Sequence, residues 1–122
     1  MNRHELMHRL SRQPDWRATL MILTCVFPDD FRVWRHVSLD REEIAFKKIL
    51  AVDTFSAGER ILLSVAASLI SQDRAPQFVE VFNKLDEQNT ALVLNAIQSF
   101  CKRPHGRENF LTDFSQKNTH SI

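Results

Sequence analysis

The sequence predicts an all-α domain, a compact bundle of five to seven short helices. Three observations predict it: apolar residues recur at helical spacing along most of the chain, N-cap signals precede several of these stretches, and strand-like alternation never lasts more than four residues. The chain has 122 residues, 43% of them hydrophobic and 25% charged, which is typical of one folded domain. The sequence contains just two glycines, and this low number disfavours β architectures, whose many turns often need glycine.

The first two helices are predicted from apolar spacing. The first covers residues 3–12 and has an apolar face formed by Leu6, Met7 and Leu10. Pro14 then suits the first turn of a second helix, where a missing N–H costs nothing. The apolar residues of this second helix share one face and are Trp16, Leu20, Leu23 and Phe27.

The middle of the chain is predicted to contain a short helical or irregular segment and then a further helix. Phe31, Trp34 and Val37 indicate the short segment. Ser38 and Asp40 are candidate N-caps, and Glu43 lies three residues after Asp40, as in a capping box. We therefore expect a helix from residue 40 to about residue 51.

Three start signals define the remaining helices. Ser56 and Glu59 form a capping box that opens a helix of about sixteen residues. Pro76 begins the next helix, and Asp86 caps a last long one that ends before residues 104–106. Residues 1–106 are thus expected to form a single helical domain, and residues 107–122 a short docking turn and a flexible tail.

The helical faces predict a single core in which ten apolar side chains are buried together. These are Trp16, Leu20, Leu23, Phe27, Leu62, Val65, Leu69, Phe82, Ile97 and Phe100.

Charge and apolar run length limit the functional classes. The net charge of +1 disfavours a nucleic-acid or membrane-surface protein with an overall basic field. The longest apolar run, residues 20–27, is far shorter than the ~20 residues that span a bilayer. No membrane partner is therefore predicted.

The two cysteines, Cys25 and Cys101, lie in apolar stretches. We therefore expect buried, reduced thiols in the cytoplasm, and a single bridge between them is left open as an alternative.

The segment His4-Glu5-Leu6-Met7-His8 matches the pattern H-E-x-x-H. Two histidines four residues apart on a helix can chelate zinc, and the glutamate between them can act as a base. The pattern resembles that of zincin metallopeptidases, which implies a metal-dependent hydrolase. No third histidine follows at the extended spacing, so a terminal amphipathic helix is the preferred interpretation, without metal, cofactor or catalytic residues.

Residues 55–69, with Ser56-Ala-Gly-Glu59, and residues 84–89 resemble the signature helix and the following Asp-loop of ABC-type ATPases. That resemblance implies ATP binding. The P-loop pattern G-x-x-x-x-G-K-[ST] needs two glycines five residues apart, and the glycines of this sequence are at positions 58 and 106. Two successive capped helices are therefore the preferred interpretation.

An arginine-rich surface is the best candidate for a binding site. The first 37 residues contain six arginines and no lysine, and arginine suits bidentate contacts to phosphates or carboxylates. The candidate binding residues are Arg9, Arg12, Arg17, Arg32, Arg35 and Trp34. A nucleic-acid-associated regulator using these arginines is therefore one further alternative.

The Asp15-Trp16 helix, the Ser-x-Gly-Glu-Arg cap at 56–60 and the turn at 85–89 are similar to those of a family of small, uncharacterised helical bacterial proteins. The likeness covers about residues 10–100 and implies no activity. The sequence thus favours a non-enzymatic helical protein that acts through protein–protein contacts with an unknown partner or a second copy of itself.

Overall fold

The computed structural model describes residues 2–71 and 76–101, without the side chain of Phe78. Within these stretches the chain forms seven helices and a two-stranded sheet: α1 Arg3–Leu10, α2 Pro14–Val26, α3 Phe31–Trp34, β1 Val37–Ser38, β2 Glu43–Ile44, α4 Phe46–Leu50, α5 Ala57–Ser71, α6 Phe78–Lys84 and α7 Glu87–Phe100. The all-α prediction is confirmed. None of the helices in this part of the chain is long and apolar enough to cross a membrane. The docking turn and tail expected at residues 107–122 lie outside the described residues.

Two of the predicted helix caps form as the sequence indicates. The Ser56 hydroxyl accepts the Glu59 N–H at 3.1 Å, and the Glu59 carboxylate accepts the Ser56 N–H at 2.8 Å. At the start of α7 the Asp86 carboxylate accepts the Asn89 N–H at 2.8 Å. Each bond satisfies a backbone donor that has no partner inside the helix, and so fixes where α5 and α7 begin.

Helices α2, α5 and α7 form the main core, because α2 packs along both of the others. The helices meet through apolar faces, and the buried hydroxyl of Thr19 donates to the backbone carbonyl of Ala66 at 3.1 Å. The largest fully buried side chains of this core are Phe27, Ile22, Leu23, Ile49, Leu62, Leu63, Val33 and Val93. This core therefore joins residues from both ends and the middle of the described chain.

A second apolar cluster lies under α1 and is separate from the main core. Its buried members are Leu6, Leu10, Trp16, Leu20 and Leu39. The prediction that Trp16 and Leu20 share one core with Leu23 is therefore wrong, although both are buried. The buried face of α2 is wide enough for Trp16 and Leu20 to pack under α1 while Ala18, Ile22 and Leu23 pack into the main core.

Burial within the main core also differs from the prediction at the edges. Ile97 is 37% exposed, so its predicted burial is wrong: α7 presents Val93 and Ala96 to the core instead. Three other predicted members pack against the core but are only half-buried, namely Leu69, Phe82 and Phe100.

The helix expected from Asp40 to about residue 51 is wrong in its first half. There the chain forms an antiparallel hairpin in which Val37 pairs with Ile44, and Glu42 adopts a left-handed backbone conformation with φ 55°. Helix α4 begins only at Phe46. Folding back as a hairpin lets Leu39 join the second cluster while Val37 and Ile44 pack against both clusters, and this burial outweighs the local cap signal.

Both cysteines are exposed and free, so the expectation of buried thiols is wrong.

A contact between α2 and α7 shows how far apart the two cysteines lie. The Arg17 side chain, near the start of α2, donates to the hydroxyl and to the carbonyl of Ser99, near the end of α7, both at 2.8 Å. The end of α7 therefore lies beside the start of α2. Cys101 lies near the Arg17 end, and Cys25 lies eight residues, or ~12 Å, further along α2. This separation is too great for a disulfide within one chain, which needs Cα atoms less than ~7 Å apart.

Candidate functional site

A cleft of about 480 Å³ lies between α1, α3 and the hairpin. We call it the α1–hairpin cleft. It is lined by Arg3, Leu6, Trp34, Val37, Ser38, Leu39 and Asp40. Its volume is in the range of ligand pockets, ~300–1,000 Å³, and its walls combine apolar side chains with a few polar ones, as such pockets do.

Helix α1 forms one wall of the cleft because its apolar face is docked. Leu6 and Leu10 are buried in the second cluster, against Leu39 of the hairpin. The start of α1 is fixed by Asn2, whose side chain accepts the Glu5 N–H at 2.8 Å. The docked helix holds the first residues of the chain against the hairpin.

The Arg3 guanidinium stacks on the Trp34 ring and forms one edge of the cleft. The Arg3 Cζ lies 4.3 Å from the ring centroid, which is a cation–π contact. The half-buried Trp34 is itself oriented by its indole N–H, which donates to the carbonyl of Phe27. A guanidinium stacked by its face keeps the N–H donors along its edge directed outward, where a planar anion can bind them.

The hairpin supplies a carboxylate to the same cleft. Asp40 is exposed in the turn that joins the two strands, next to Leu39. The cleft thus has a cation, a carboxylate and an apolar floor. Sequence reasoning singled out Trp34 but missed Leu39 and Asp40, because their place in the cleft depends on the hairpin that the local cap signal concealed.

Two of the candidate binding arginines bond within the protein. Arg17 joins α2 to Ser99 of α7. Arg32 makes a bidentate contact with Asp30, donates to the Thr54 hydroxyl at 3.0 Å, and lies over the Phe55 ring with its Cζ 4.1 Å from the centroid. Both side chains therefore connect elements of the fold.

The other three candidate arginines are exposed. Arg9 belongs to α1 and Arg12 to the turn that follows it. Arg35 follows α3, and its Cζ lies 5.4 Å from the ring centroid of Phe31, which is itself 72% exposed. The structure thus brings Trp34 together with Arg3 instead of gathering all the candidate arginines on one surface.

The H-E-x-x-H segment forms part of α1, as predicted. His4, Glu5 and His8 are all exposed on it. Among the residues that the structure describes, no group of three or more histidine, cysteine, aspartate or glutamate side chains is placed to hold a metal ion. The described residues therefore supply at most two histidine ligands, whereas a catalytic zinc takes three protein ligands.

A second cleft, of about 360 Å³, lies between α5 and α6. Its charged side chains already have partners within the protein. The Lys84 ammonium lies 3.8 Å from the Glu80 carboxylate, and the Arg60 guanidinium donates to the carbonyls of Leu50 and Val52 at 3.0 and 2.6 Å. This cleft offers a ligand fewer open polar groups than the α1–hairpin cleft does.

The segment that resembles the ABC signature is the start of α5. Besides the mutual cap of Ser56 and Glu59, the Glu59 carboxylate lies 3.8 Å from the Arg32 guanidinium. A Cβ atom added at Gly58 would meet nothing within 4 Å. The side chains of this turn therefore bind one another and stabilise the helix start.

Three titratable side chains near α3 have shifted pKa values, and that of Arg32 is raised by its hydrogen bond with Asp30. The hydrogen bond from the Arg32 side chain lowers the pKa of the Asp30 carboxyl, and burial offsets only part of this effect. Burial lowers the pKa of His36, and the positive charges of Arg35 and Lys48 lower it further. Asp30 and His36 are not among the residues that line the α1–hairpin cleft.

The comparisons with known proteins give one partial likeness. The chain is 29% identical to a phosphonates import ATP-binding protein, PhnC 1, of Rhodopseudomonas palustris over 92 residues, which is 75% of this chain and 33% of that protein. The chain thus spans about a third of the length of this curated relative. No family model matches the sequence, and no solved structure matches it.

Proposed function

We propose that the protein is a non-enzymatic helical binding module that holds a segment of a partner protein in the α1–hairpin cleft and acts in the cytoplasm. The observation that carries this proposal is the Arg3 guanidinium, which is stacked on Trp34 at 4.3 Å. The ion pairs found among residues 2–71 and 76–101 involve other cations, and none of them neutralises Arg3.

A cation that is held by an aromatic ring and forms no ion pair with a carboxylate of residues 2–71 and 76–101 favours an acidic ligand. A stacked arginine has already lost part of its conformational freedom, so binding a carboxylate to it costs less entropy. The resulting charge-assisted hydrogen bonds are shorter and stronger than neutral ones.

The floor of the cleft favours a bulky apolar group next to that acid. Leu6, Leu39 and Trp34 line the same cleft as the two charged groups and supply its apolar contacts. Asp40 would repel a second acidic group and so sets the direction of the bound segment. The partner chemistry that fits is therefore an aspartate or glutamate beside a large apolar residue.

Trp34 fluorescence provides the test, with blocked tripeptides as probes. In a Trp16→Phe variant, Trp34 is the only tryptophan, because the sequence contains two. We expect acetyl-Leu-Glu-Leu-amide to change this fluorescence in a saturable way. The tripeptides with glutamine or lysine in the central position should bind at least ~10-fold more weakly, since each lacks the carboxylate.

Arg3→Gln is the decisive substitution and Arg9→Gln its matched control. Both remove an exposed arginine from α1, but only Arg3 lines the cleft. Arg3→Gln should weaken binding of the glutamate tripeptide by about tenfold or more, and Arg9→Gln should leave it unchanged. Equal binding of all three tripeptides, or equal effects of the two substitutions, would refute the proposal.

A further inference from the structure

The exposed side of α7 carries no charge after its first residue. Residues 88–101 contain no aspartate, glutamate, lysine, arginine or histidine. At the composition of the whole chain, 25% charged, fourteen residues would include about three or four charged ones. The exposed surface of a helix is normally where charged residues collect, and their depletion is typical of the centre of a protein interface.

The exposed apolar residues of α7 lie along one line. Leu94 is 50% exposed and Ile97 is 37% exposed, and the exposed Cys101 follows four residues after Ile97. Spacings of three and four residues place these side chains on one stripe of the helix, as at the seam of two packed helices. The neighbouring side of α7, ~100° around the helix and formed by Val93 and Ala96, is already buried against the core.

We propose that this face of α7 pairs with the same face of a second copy of the chain, about a two-fold axis. In such a contact each residue meets the same patch on the partner, so any charge on the face would oppose a like charge. A neutral face avoids that repulsion. Exposed Asn95, beside the stripe, can both donate and accept hydrogen bonds and so can pair with its own copy.

The size of the face sets the expected strength of the dimer. Helix α7 has 14 residues and is therefore ~21 Å long. One helix of this length presents less than the ~800 Å² per partner of a standard stable interface. We therefore expect a weak dimer that dissociates on dilution. This inference does not depend on the α1–hairpin cleft, which is formed by other elements.

Charge substitutions at Leu94 test the inference, because Leu94 is the most exposed apolar side chain of the stripe and lies at the middle of α7, where a two-fold axis through this face would pass. By analytical ultracentrifugation of the full chain, we expect a concentration-dependent dimer. Leu94→Glu and Leu94→Lys should each raise the dissociation constant at least ~10-fold, since like charges then meet across the axis. An equimolar mixture of the two variants should dimerise again, as opposite charges pair.

Val79→Glu is the matched control, since Val79 is a 67% exposed apolar residue on a different helix, α6. It should dimerise like the unsubstituted chain, and circular dichroism should show that all variants keep their helical content. A chain that stays monomeric up to about 1 mM, or a Leu94→Glu variant that dimerises as well as the unsubstituted chain, would overturn the inference. A mixture that stays monomeric would place Leu94 away from any self-contact and overturn it too.

Discussion

The three long helices and the segment between α2 and α5 are stabilised in different ways. Helices α2, α5 and α7 meet through broad apolar faces that bury large aliphatic side chains. The intervening segment has short elements, and its loops are joined by arginine side chains. Arg32 connects Asp30 to Thr54, and Arg60 donates to the carbonyls of Leu50 and Val52.

This contrast shows what each kind of interaction contributes. The free energy gained by burying apolar surface is proportional to the buried area and depends little on the direction of each contact. A helical face that repeats apolar residues is therefore enough to specify it. An arginine that satisfies two backbone carbonyls fixes particular atoms, and it adds to the burial of Val33, Phe46 and Ile49 in ordering the segment between α2 and α5. One wall of the cleft, formed by Trp34 and the hairpin, belongs to this second part of the molecule, and the other wall is α1.

The largest expected effect is in the three-helix part. Leu23 is fully buried in α2, and Leu23→Ala should lower the free energy of unfolding by ~2–5 kcal/mol, because it leaves a cavity in a packed core. Leu69→Ala removes the same atoms from a half-buried site, so it should lower the free energy of unfolding clearly less than Leu23→Ala does. Urea denaturation of both variants makes the comparison, and equal losses would show that the core is not centred on α2.

A smaller effect is expected for Arg60→Leu in the arginine-linked segment. This substitution leaves the carbonyls of Leu50 and Val52 without their charged donor and should cost ~1.5–3 kcal/mol. The free energy of unfolding of Arg60→Lys should lie between those of Arg60→Leu and the unsubstituted protein. A lysine ammonium keeps the charge but lacks the planar fork that reaches both carbonyls. Arg9→Leu, at an exposed site, serves as control in the same urea measurement. A loss for Arg60→Leu no larger than that for Arg9→Leu would show that the segment is ordered without this clamp.

The smallest effect concerns pH and the Asp30–Arg32 pair. The pKa of folded Asp30 is lowered, so its carboxylate contributes stability above the usual aspartate pKa of ~3.9. That contribution is lost as the pH falls through the folded pKa. Unfolding midpoints measured from pH 5 to pH 2 should therefore fall less steeply for Asp30→Asn than for the unsubstituted protein. If the unfolding midpoints of both proteins fall equally steeply with pH, the Asp30–Arg32 pair contributes nothing to this pH dependence.

The lowered pKa of His36 acts at higher pH. There, acidification favours the unfolded chain, because the unfolded chain binds the proton more readily than the folded one.

The sequence accounts for the long helices and for less of the candidate site. The capping box of Ser56 and Glu59 and the cap at Asp86 could be read from neighbouring residues, because a cap is a local interaction. Trp34 was among the predicted binding residues, but its contact with Arg3 joins residues 31 positions apart in the chain. Nothing local indicates such a pairing.

The sequence by itself determined the all-α class, the positions of α1, α2, α5 and α7, and several of the residues that these helices bury, since the helical repeat records which face is apolar. Only the tertiary structure decided that residues 37–44 form a hairpin, that α2 divides its face between two clusters, and that Leu39 and Asp40 lie beside Arg3. The physical reason is that these outcomes depend on burial against distant elements, and such burial outweighs the weak preference of a few residues for one local conformation.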